Sequence, residues 1–246
     1  MLSIKNGKIA FKEKILLEDI NLEIPESHLS IIIGPNGAGK TSLINILSGS
    51  SKLTGGEFIN TYKKCILIPQ KTHYPDGINL YEYVSSVFFQ SGWKWSISKK
   101  EQDRVYEVLD KLNLSSKEKS ELHQLSSGEL QLANIAICLL SGADLILLDE
   151  PSANLDLINQ VMILEILKKL TQKGITIVAI MHDITLAAKY GDKFIIVQKT
   201  ENHPQTGKIV YGNKQEALTE YNLSKAYNYE FKVVDIDENT YIQSGT

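Results

Sequence analysis

The feature that most constrains this chain is a glycine-rich segment, Gly34-Pro35-Asn36-Gly37-Ala38-Gly39-Lys40-Thr41, set between a strand pattern and a helix pattern. Residues 29–33 before it are an apolar run typical of a buried strand, and residues 42–47 after it have helical apolar spacing. A strand, a loop of the pattern G-x-x-x-x-G-K-[ST] and a helix together predict a phosphate-binding loop. The alternative is a glycine-rich turn with an incidental lysine, but the filled positions and the correct flanks favour the phosphate loop.

Each residue type in this loop has a physical reason to hold a triphosphate. Backbone N–H groups of the loop and of the first helical turn lack internal partners, so they converge on an anion, and the glycines permit close approach. Lys40 adds a positive charge for the β- and γ-phosphates, and the Thr41 hydroxyl can ligate Mg²⁺. We therefore predict binding of a nucleoside triphosphate with Mg²⁺ by Gly34, Pro35, Asn36, Gly37, Ala38, Gly39, Lys40, Thr41 and Ser42.

Composition narrows the function classes that remain. The chain has 246 residues, of which 43% are hydrophobic and 22% charged, as is ordinary for a globular protein. Its formal net charge of −3 gives no electrostatic sign of a nucleic-acid partner. The sequence contains no apolar run of 18 residues and no signal-peptide pattern at its start, so we expect a cytosolic or peripheral protein.

Apolar patterns along the chain, together with the phosphate loop, predict an α/β fold of the P-loop nucleoside triphosphatase (NTPase) type. Short apolar pieces before the loop, and the alternating residues 20–24, predict an antiparallel β layer. Helical spacing over residues 79–140 predicts a helical insert, and later strand and helix patterns alternate as in a mostly parallel sheet. We predict one domain over residues 1–246, with an α/β core at 1–78 and 142–246 and a helical subdomain at 79–141.

Two carboxylates follow the predicted strand at residues 145–148. Ligands bind at the carboxyl ends of strands in such sheets, so Asp149 and Glu150 are expected beside the phosphate loop. Asp149 is placed to hold Mg²⁺ directly or through water, and Glu150, pointing the other way, can act as general base on an attacking water. The alternative is a strand end with ordinary surface acids, which the nearby phosphate loop disfavours.

Several short motifs resemble those of ATP-binding cassette (ABC) proteins and occur in the same order. Leu125-Ser126-Ser127-Gly128-Glu129 resembles the LSGGQ signature, Pro151-Ser152-Ala153-Asn154-Leu155-Asp156 the D-loop and Pro69-Gln70 the Q-loop. Ile180-Met181-His182-Asp183 is similar to the switch-histidine motif, and Phe11 matches the position of the aromatic A-loop residue. The resemblance covers essentially the whole core and implies an ATP hydrolase that uses Mg²⁺.

The resemblance also implies that two copies of the chain sandwich two ATP molecules. Ser126 and Gly128 open a second helix N-terminus, which would close over the γ-phosphate held by the other copy. Asp156 would cross the interface between the copies, with the capping of the following helix as the alternative. The serine at position 127 could narrow the backbone approach, and Glu129 adds negative charge that should weaken closure unless it points outward.

Three further residues receive roles from the same resemblance. Gln70 would contact Mg²⁺ and the attacking water. His182, at the end of a predicted strand, would hydrogen-bond the γ-phosphate and orient the water and Glu150, with a purely structural histidine as the alternative. Phe11 would stack on adenine, with core packing as the alternative. We expect hydrolysis that is slow in isolation.

Residues 74–84, 182–190 and 211–219 resemble segments of the ATPase subunits of iron–siderophore, haem and cobalamin importers. The resemblance implies a peripheral subunit on the cytoplasmic face of the membrane, partnered by transmembrane permease subunits and indirectly by an extracytoplasmic binding protein, and not by nucleic acid. A zinc or manganese importer remains the alternative. A soluble ABC ATPase that acts on nucleic acid or ribosomes would carry a basic stripe, a second cassette or a long heptad insert, and a regulatory module would bind ATP without turnover.

Overall fold

Strands alternate with helices along most of the chain in the computed structural model, which describes residues 1–12, 14–70, 72, 74, 76–89, 96–153, 155–199, 206–236 and 239–245. The strands are β1 (Leu2–Phe11), β2 (Lys14–Ile24), β3 (Leu29–Ile33), β4 (Gly55–Asn60), β5 (Cys65–Ile68), β6 (Leu145–Asp149), β7 (Thr176–Ile180), β8 (Lys193–Lys199), β9 (Gly207–Gly212), β10 (Phe231–Ile236) and β11 (Asn239–Ser244). The α-helices are α1 (Lys40–Leu47), α2 (Leu80–Ser85), α3 (Lys99–Lys111), α4 (Ser127–Ser141), α5 (Leu157–Thr171), α6 (Ile184–Tyr190), α7 (Lys214–Ala217) and α8 (Glu220–Tyr227).

Nine of these strands form one sheet in the order β4-β1-β2-β9-β8-β3-β7-β6-β5. The five strands from β8 to β5 are parallel, whereas β4, β1 and β2 are antiparallel. Strand β9 is antiparallel to β8 and meets β2 through the single pair Leu17 and Gly207. The predicted α/β fold, with a mostly parallel sheet and an antiparallel layer, is therefore confirmed. Strands β10 and β11 pair with each other as a separate antiparallel sheet.

The parallel strands are apolar on both faces because helices cover one face and the antiparallel layer with α1 covers the other. Every residue of β3, β6 and β7 is buried. Side chains alternate between two apolar clusters: Ile31 and Ile146 pack with residues of α3, α4 and α5, while Ile32 and Leu147 pack with α1, β1 and β2. This two-sided burial agrees with the interior position of β3, which lies between β8 and β7 in the sheet.

Most predicted elements occur, and their boundaries move by one or two residues. Helix α1 starts at Lys40, two residues before the predicted helical spacing, and β6 continues to Asp149. Between β5 and β6 the described part of the chain holds α2, α3, α4 and short 3-10 turns, so the helical character of this insert is confirmed. No helix among the described residues is both long and apolar enough to cross a bilayer.

Strand β9 was not predicted, because glycines at both of its ends mimic turn signals. A Cβ at Gly207 would lie 2.7 Å from the Leu17 side chain, and a Cβ at Gly212 would lie 2.7 Å from the Glu216 side chain. Both glycines therefore serve close packing against β2 and α7 rather than a turn. Glycine within a strand often marks such a close approach.

Thr176, at the start of β7, is a buried polar residue that joins three segments of the chain. Its Oγ1 accepts a hydrogen bond from the Ser27 N–H at 2.9 Å and another from the Tyr62 hydroxyl at 2.8 Å. The turn before β3 and the segment before β5 are thereby tied to the central sheet. Because the Thr176 hydroxyl accepts two hydrogen bonds, it stabilises the fold beyond the packing of its side chain.

We expect Thr176→Val to lower the free energy of unfolding by about 1–3 kcal/mol, because the Ser27 N–H and the Tyr62 hydroxyl lose their shared acceptor while the side-chain shape is kept. Urea unfolding measures this loss. Thr171→Val is the matched control, since the buried Thr171 hydroxyl donates within its own helix, to the Lys168 carbonyl at 2.8 Å. Equal losses in the two variants would contradict the bridging role of Thr176.

Candidate functional site

Residues 34–39 form a loop that leaves the centre of the sheet after β3 and leads directly into α1. Gly34 has φ 151°, and a Cβ there would lie 2.6 Å from the Val197 carbonyl oxygen. Gly39 precedes α1 with φ 103° and gives the helix no side-chain cap. Both positions need glycine, and the uncapped N–H groups of the first turn of α1 face outward as donors for an anion.

Lys40 supplies a positive charge at the base of this loop. Its side chain is 6% exposed, and Nζ donates hydrogen bonds to the carbonyl oxygens of Gly34 at 2.7 Å and Pro35 at 3.0 Å. Burial lowers the pKa of Lys40, and the nearby carboxylates of Glu150 and Asp149 act in the opposite direction. The ammonium group therefore lies in a low-dielectric position where an anionic ligand interacts strongly with it.

Asp149 ends β6 as a buried carboxylate beside the loop. Burial raises its pKa, while a hydrogen bond from the Thr41 side chain lowers it. Its Oδ1 atom is buried and has no hydrogen-bond partner among the described residues. An unpaired carboxylate oxygen next to a hydroxyl is the oxygen donor set that Mg²⁺ prefers, so these residues fit the ion.

Glu150 lies just beyond β6 and connects two other functional side chains. Its Oε2 accepts a hydrogen bond from Gln70 Nε2, and its Oε1 pairs with His182 Nε2 at 2.5 Å. Glu150 has φ 58°, a left-handed conformation, so strand alternation does not determine where its carboxylate points. Gln70 follows β5 and His182 follows β7, and the ends of three neighbouring strands thus bring these groups together.

The phosphate loop and the side chains of Gln70, Glu150 and His182 surround an open cleft of about 560 Å³. Its lining residues are Leu16, Asn36, Gly37, Gly39, Lys40, Thr41, Ser42, Gln70, Glu150 and His182. The sequence did not predict Leu16 as a lining residue, because Ile15, Leu16 and Leu17 are all apolar and their pattern does not show which side of the strand is buried. Its neighbour Leu17 is fully buried on the opposite side of β2, which leaves Leu16 toward the cleft.

Phe11 is not among the residues that line this cleft. It ends β1 with 68% of its surface exposed, and Lys12 Nζ lies 5.9 Å from its ring centroid. The alternative of core packing is therefore wrong, because the ring is not buried. An exposed aromatic face is available for stacking, and its contact with adenine stays a prediction.

Ser126 and Gly128 lie at the start of α4, away from the cleft lining of their own chain. Ser126 Oγ accepts a hydrogen bond from the Glu129 N–H at 3.2 Å, and Glu129 Oε2 accepts one from the Ser126 N–H at 2.8 Å. Glu129 Oε1 also pairs with Lys117 Nζ at 3.2 Å. The hydrogen bond from the Ser126 backbone is the main cause that lowers the pKa of Glu129. Its charge is thus turned back onto its own helix and toward Lys117.

Asp156 is the N-cap of α5, as the capping alternative predicted. Its Oδ1 accepts a hydrogen bond from the Asn159 N–H at 2.8 Å. A contact of Asp156 with a second copy of the chain stays a prediction, and Asn154 of the same motif lies outside the described residues. Gly128 is close to this segment, since a Cβ there would lie 3.4 Å from the Leu155 side chain.

Comparison with known proteins identifies relatives of the chain. A family model described as ABC transporter matches residues 17–153. The petrobactin import ATP-binding protein FpuD of Bacillus anthracis is 28% identical over 94% of this chain and 88% of its own length. The manganese transport system ATP-binding protein MntB of Listeria innocua is 30% identical over 92% of this chain and 95% of its own length.

Solved structures show the same fold. An inward-facing ABC transporter described as of the metal-chelate type matches with a TM-score of 0.85 and 24% identity, over 99% of this chain and 96% of that one. The dimeric structure of the ABC transporter cassette MJ0796 matches with a TM-score of 0.73 and 25% identity, over 87% of this chain and 98% of that one.

We expect Asp149→Asn to raise the Tm of the ligand-free protein by about 2–5 °C at neutral pH, because it removes a buried charge with an unpaired oxygen. Thermal unfolding with and without Mg²⁺ and nucleotide measures this gain, and the stabilisation by Mg²⁺ should shrink in the same variant. Asp144→Asn is the control and should lower the Tm, because Asp144 accepts hydrogen bonds from the N–H groups of Lys63 and Lys64 at 3.0 and 2.8 Å. A lower Tm in both variants would argue against a metal role for Asp149.

Proposed function

The chain belongs to the ABC transporter family, and we propose from this premise that it is the ATP-hydrolysing subunit of an importer for a chelated metal. An iron–siderophore complex is the proposed cargo, with haem or cobalamin as related cargoes, carried through a separate permease. The observation that carries the catalytic part is the Glu150 carboxylate, which Gln70 and His182 hold at the cleft of the phosphate loop.

The chemistry needs little covalent work by the protein and follows from how charges are positioned. Lys40 and the N–H groups at the start of α1 would bind the β- and γ-phosphates. Asp149, Thr41 and Gln70 would hold Mg²⁺, which when bound supplies positive charge to neutralise phosphate oxygens. Glu150 would accept a proton from the attacking water, and His182, paired with Glu150, would orient that carboxylate and the γ-phosphate.

A second copy of the chain would complete the site. Ser126 and Gly128 do not line the cleft of their own chain, yet they open a 15-residue helix whose N-terminus can receive an anion. A two-fold pair places the same surface of each copy against the other, so each would present its signature helix to the nucleotide of its partner. The dimeric structure of the cassette MJ0796 supports pairing of two copies.

The choice of cargo draws on relatives of similar identity. FpuD, at 28%, is named for petrobactin import, and MntB, at 30%, is named for manganese transport. The proposed partners are transmembrane permease subunits and, indirectly, an extracytoplasmic binding protein, with this chain peripheral at the cytoplasmic face of the membrane. Residues 1–78 and 142–246 would form the nucleotide-binding core, and residues 79–141 the helical subdomain that meets the partner copy.

Cargo is tested with the purified permease complex in lipid. Its ATPase activity should rise when a binding protein loaded with an iron–siderophore complex is added. Free Mn²⁺ or Zn²⁺ with the cognate binding protein is the matched comparison. Stimulation by the free ions and none by the chelated iron would replace the proposed cargo with a bare divalent metal.

Glu150→Gln should lower kcat by about 10²- to 10⁴-fold, because it removes the base that accepts the proton from water. Binding of Mg²⁺ and ATP should persist, so the variant should accumulate as a dimer that light scattering detects. Glu165→Gln, at an exposed acid of α5, is the control and should keep its turnover. An unchanged kcat in Glu150→Gln would remove Glu150 from the catalytic role.

Lys117→Gln should weaken ATP-driven dimerisation about two- to fivefold, because Glu129 then keeps an uncompensated charge at the helix end that receives the phosphate. The effect is small because the Lys117 and Glu129 side chains are 42% and 26% exposed, and solvent screens such pairs. Sedimentation of the protein with and without Lys117→Gln, each in the Glu150→Gln background, measures this loss of dimerisation. The double variant Lys117→Gln/Glu129→Gln should restore dimerisation, and a failure of this rescue would show that charge compensation is not the role of Lys117.

A further inference from the structure

Asn134 is a buried polar residue in the middle of the apolar helix α4. It is 2% exposed, and its neighbours along the helix, Ala133 and Ile135, are fully buried. Asn134 is not among the described residues that line the cleft of the phosphate loop, and the signature motif ends five residues earlier. An amide in such a position is costly unless its polar atoms are hydrogen-bonded, so its contacts reveal what it holds.

The Asn134 side chain is the centre of a hydrogen-bonded group. Its Oδ1 accepts a hydrogen bond from the Tyr83 hydroxyl at 2.8 Å, and its Nδ2 donates to the Tyr74 hydroxyl at 3.2 Å. Nδ2 also approaches Gln131 Oε1, one turn earlier, at 3.4 Å. The rings of Tyr74 and Tyr83 meet edge to face, with centroids 5.4 Å apart. We call Asn134, Tyr74 and Tyr83 the tyrosine–asparagine trio.

The trio joins segments that carry separate parts of the proposed site. Tyr74 lies four residues after Gln70, which hydrogen-bonds Glu150. Asn134 lies seven residues after the first residue of α4, about 10 Å along the helix from the end that bears Ser126 and Gly128. Tyr83 belongs to α2 and connects the two.

Hydrogen bonds restrain these segments in a way that apolar packing does not. Apolar contacts allow side chains to slide, whereas a bond between a hydroxyl and a buried amide fixes both distance and direction. Burial also raises the pKa of Tyr83 far above its usual range, so this hydroxyl keeps its proton and remains a donor. A leucine at position 134 would pack in the same apolar surroundings without needing any partner.

We infer that Asn134 is a positioning residue that ties Tyr74, a near neighbour of Gln70 in the chain, to the signature helix, so that Gln70 and the N-terminus of α4 reach the nucleotide together. The inference rests on the proposed function, because it concerns the turnover of a site completed by a second copy. Asn134 does not line the cleft of the phosphate loop, so its proposed role is to position other residues. Its effect should therefore appear in kcat rather than in nucleotide affinity.

The test is steady-state ATP hydrolysis by the purified full chain and by the variants Asn134→Leu and Tyr74→Phe. Each should lower kcat about five- to tenfold, while KM and the affinity for Mg²⁺ and ATP change less than twofold. Tyr74→Phe keeps the ring and removes only the hydroxyl that accepts from Asn134 Nδ2, so it remains informative if Asn134→Leu folds poorly. The double variant should be no worse than Asn134→Leu alone, because both changes remove the same hydrogen bond.

Ile135→Val is the matched control, since Ile135 is fully buried in the same helix but lies outside the trio. It should lower Tm and leave kcat unchanged. If the trio variants also lower only Tm, or if they lower nucleotide affinity in place of kcat, the inference is overturned. Failure of the proposed function is a different result, namely wild-type turnover that equals that of Glu150→Gln, and the inference would fall with it.

Discussion

The arrangement of the whole site depends on one constraint, the passage of the chain from β3 into α1 through a loop that requires glycine at positions 34 and 39. Gly34 packs against the backbone of Val197 in β8. A Cβ at Gly39 would lie 3.3 Å from the Leu17 side chain in β2. The loop is therefore held from both sides by neighbouring parts of the sheet. Because β3, β6 and β7 are parallel, their carboxyl ends lie at the same edge of the sheet, and Asp149, Glu150 and His182 are thereby brought beside the loop.

A site built this way accumulates charges where the protein alone does not stabilise them well. Burial shifts the pKa of Lys40 downward and that of Asp149 upward, so each charged form is disfavoured by its surroundings. The apolar clusters on both faces of the sheet supply the stability that offsets this cost. Proteins accept such local losses where function needs a charge in place before its ligand arrives.

How far the sequence predicts this structure follows from how local each signal is. The phosphate loop and the strand ending in Asp149 are patterns of adjacent residues, and both were found at the expected places. Strand β9 was missed because its glycines pack against distant elements. The direction of the Glu150 carboxylate cannot be derived from strand alternation, because its φ of 58° leaves the strand conformation. The Asn134 contacts span 51 and 60 residues, a separation at which no periodic pattern gives a signal.

The signature helix α4 departs from the family motif in its first turn. Glu129 stands where the family usually has glutamine, and its carboxylate closes the capping box of α4. A carboxylate in the first turn favours the helix dipole, but it also occupies part of the positive potential that an incoming phosphate would use. Lys117 offsets that charge only in part, because solvent screens an exposed pair. Two free copies should then associate weakly. A permease that binds both copies would raise their effective concentration and so favour closure.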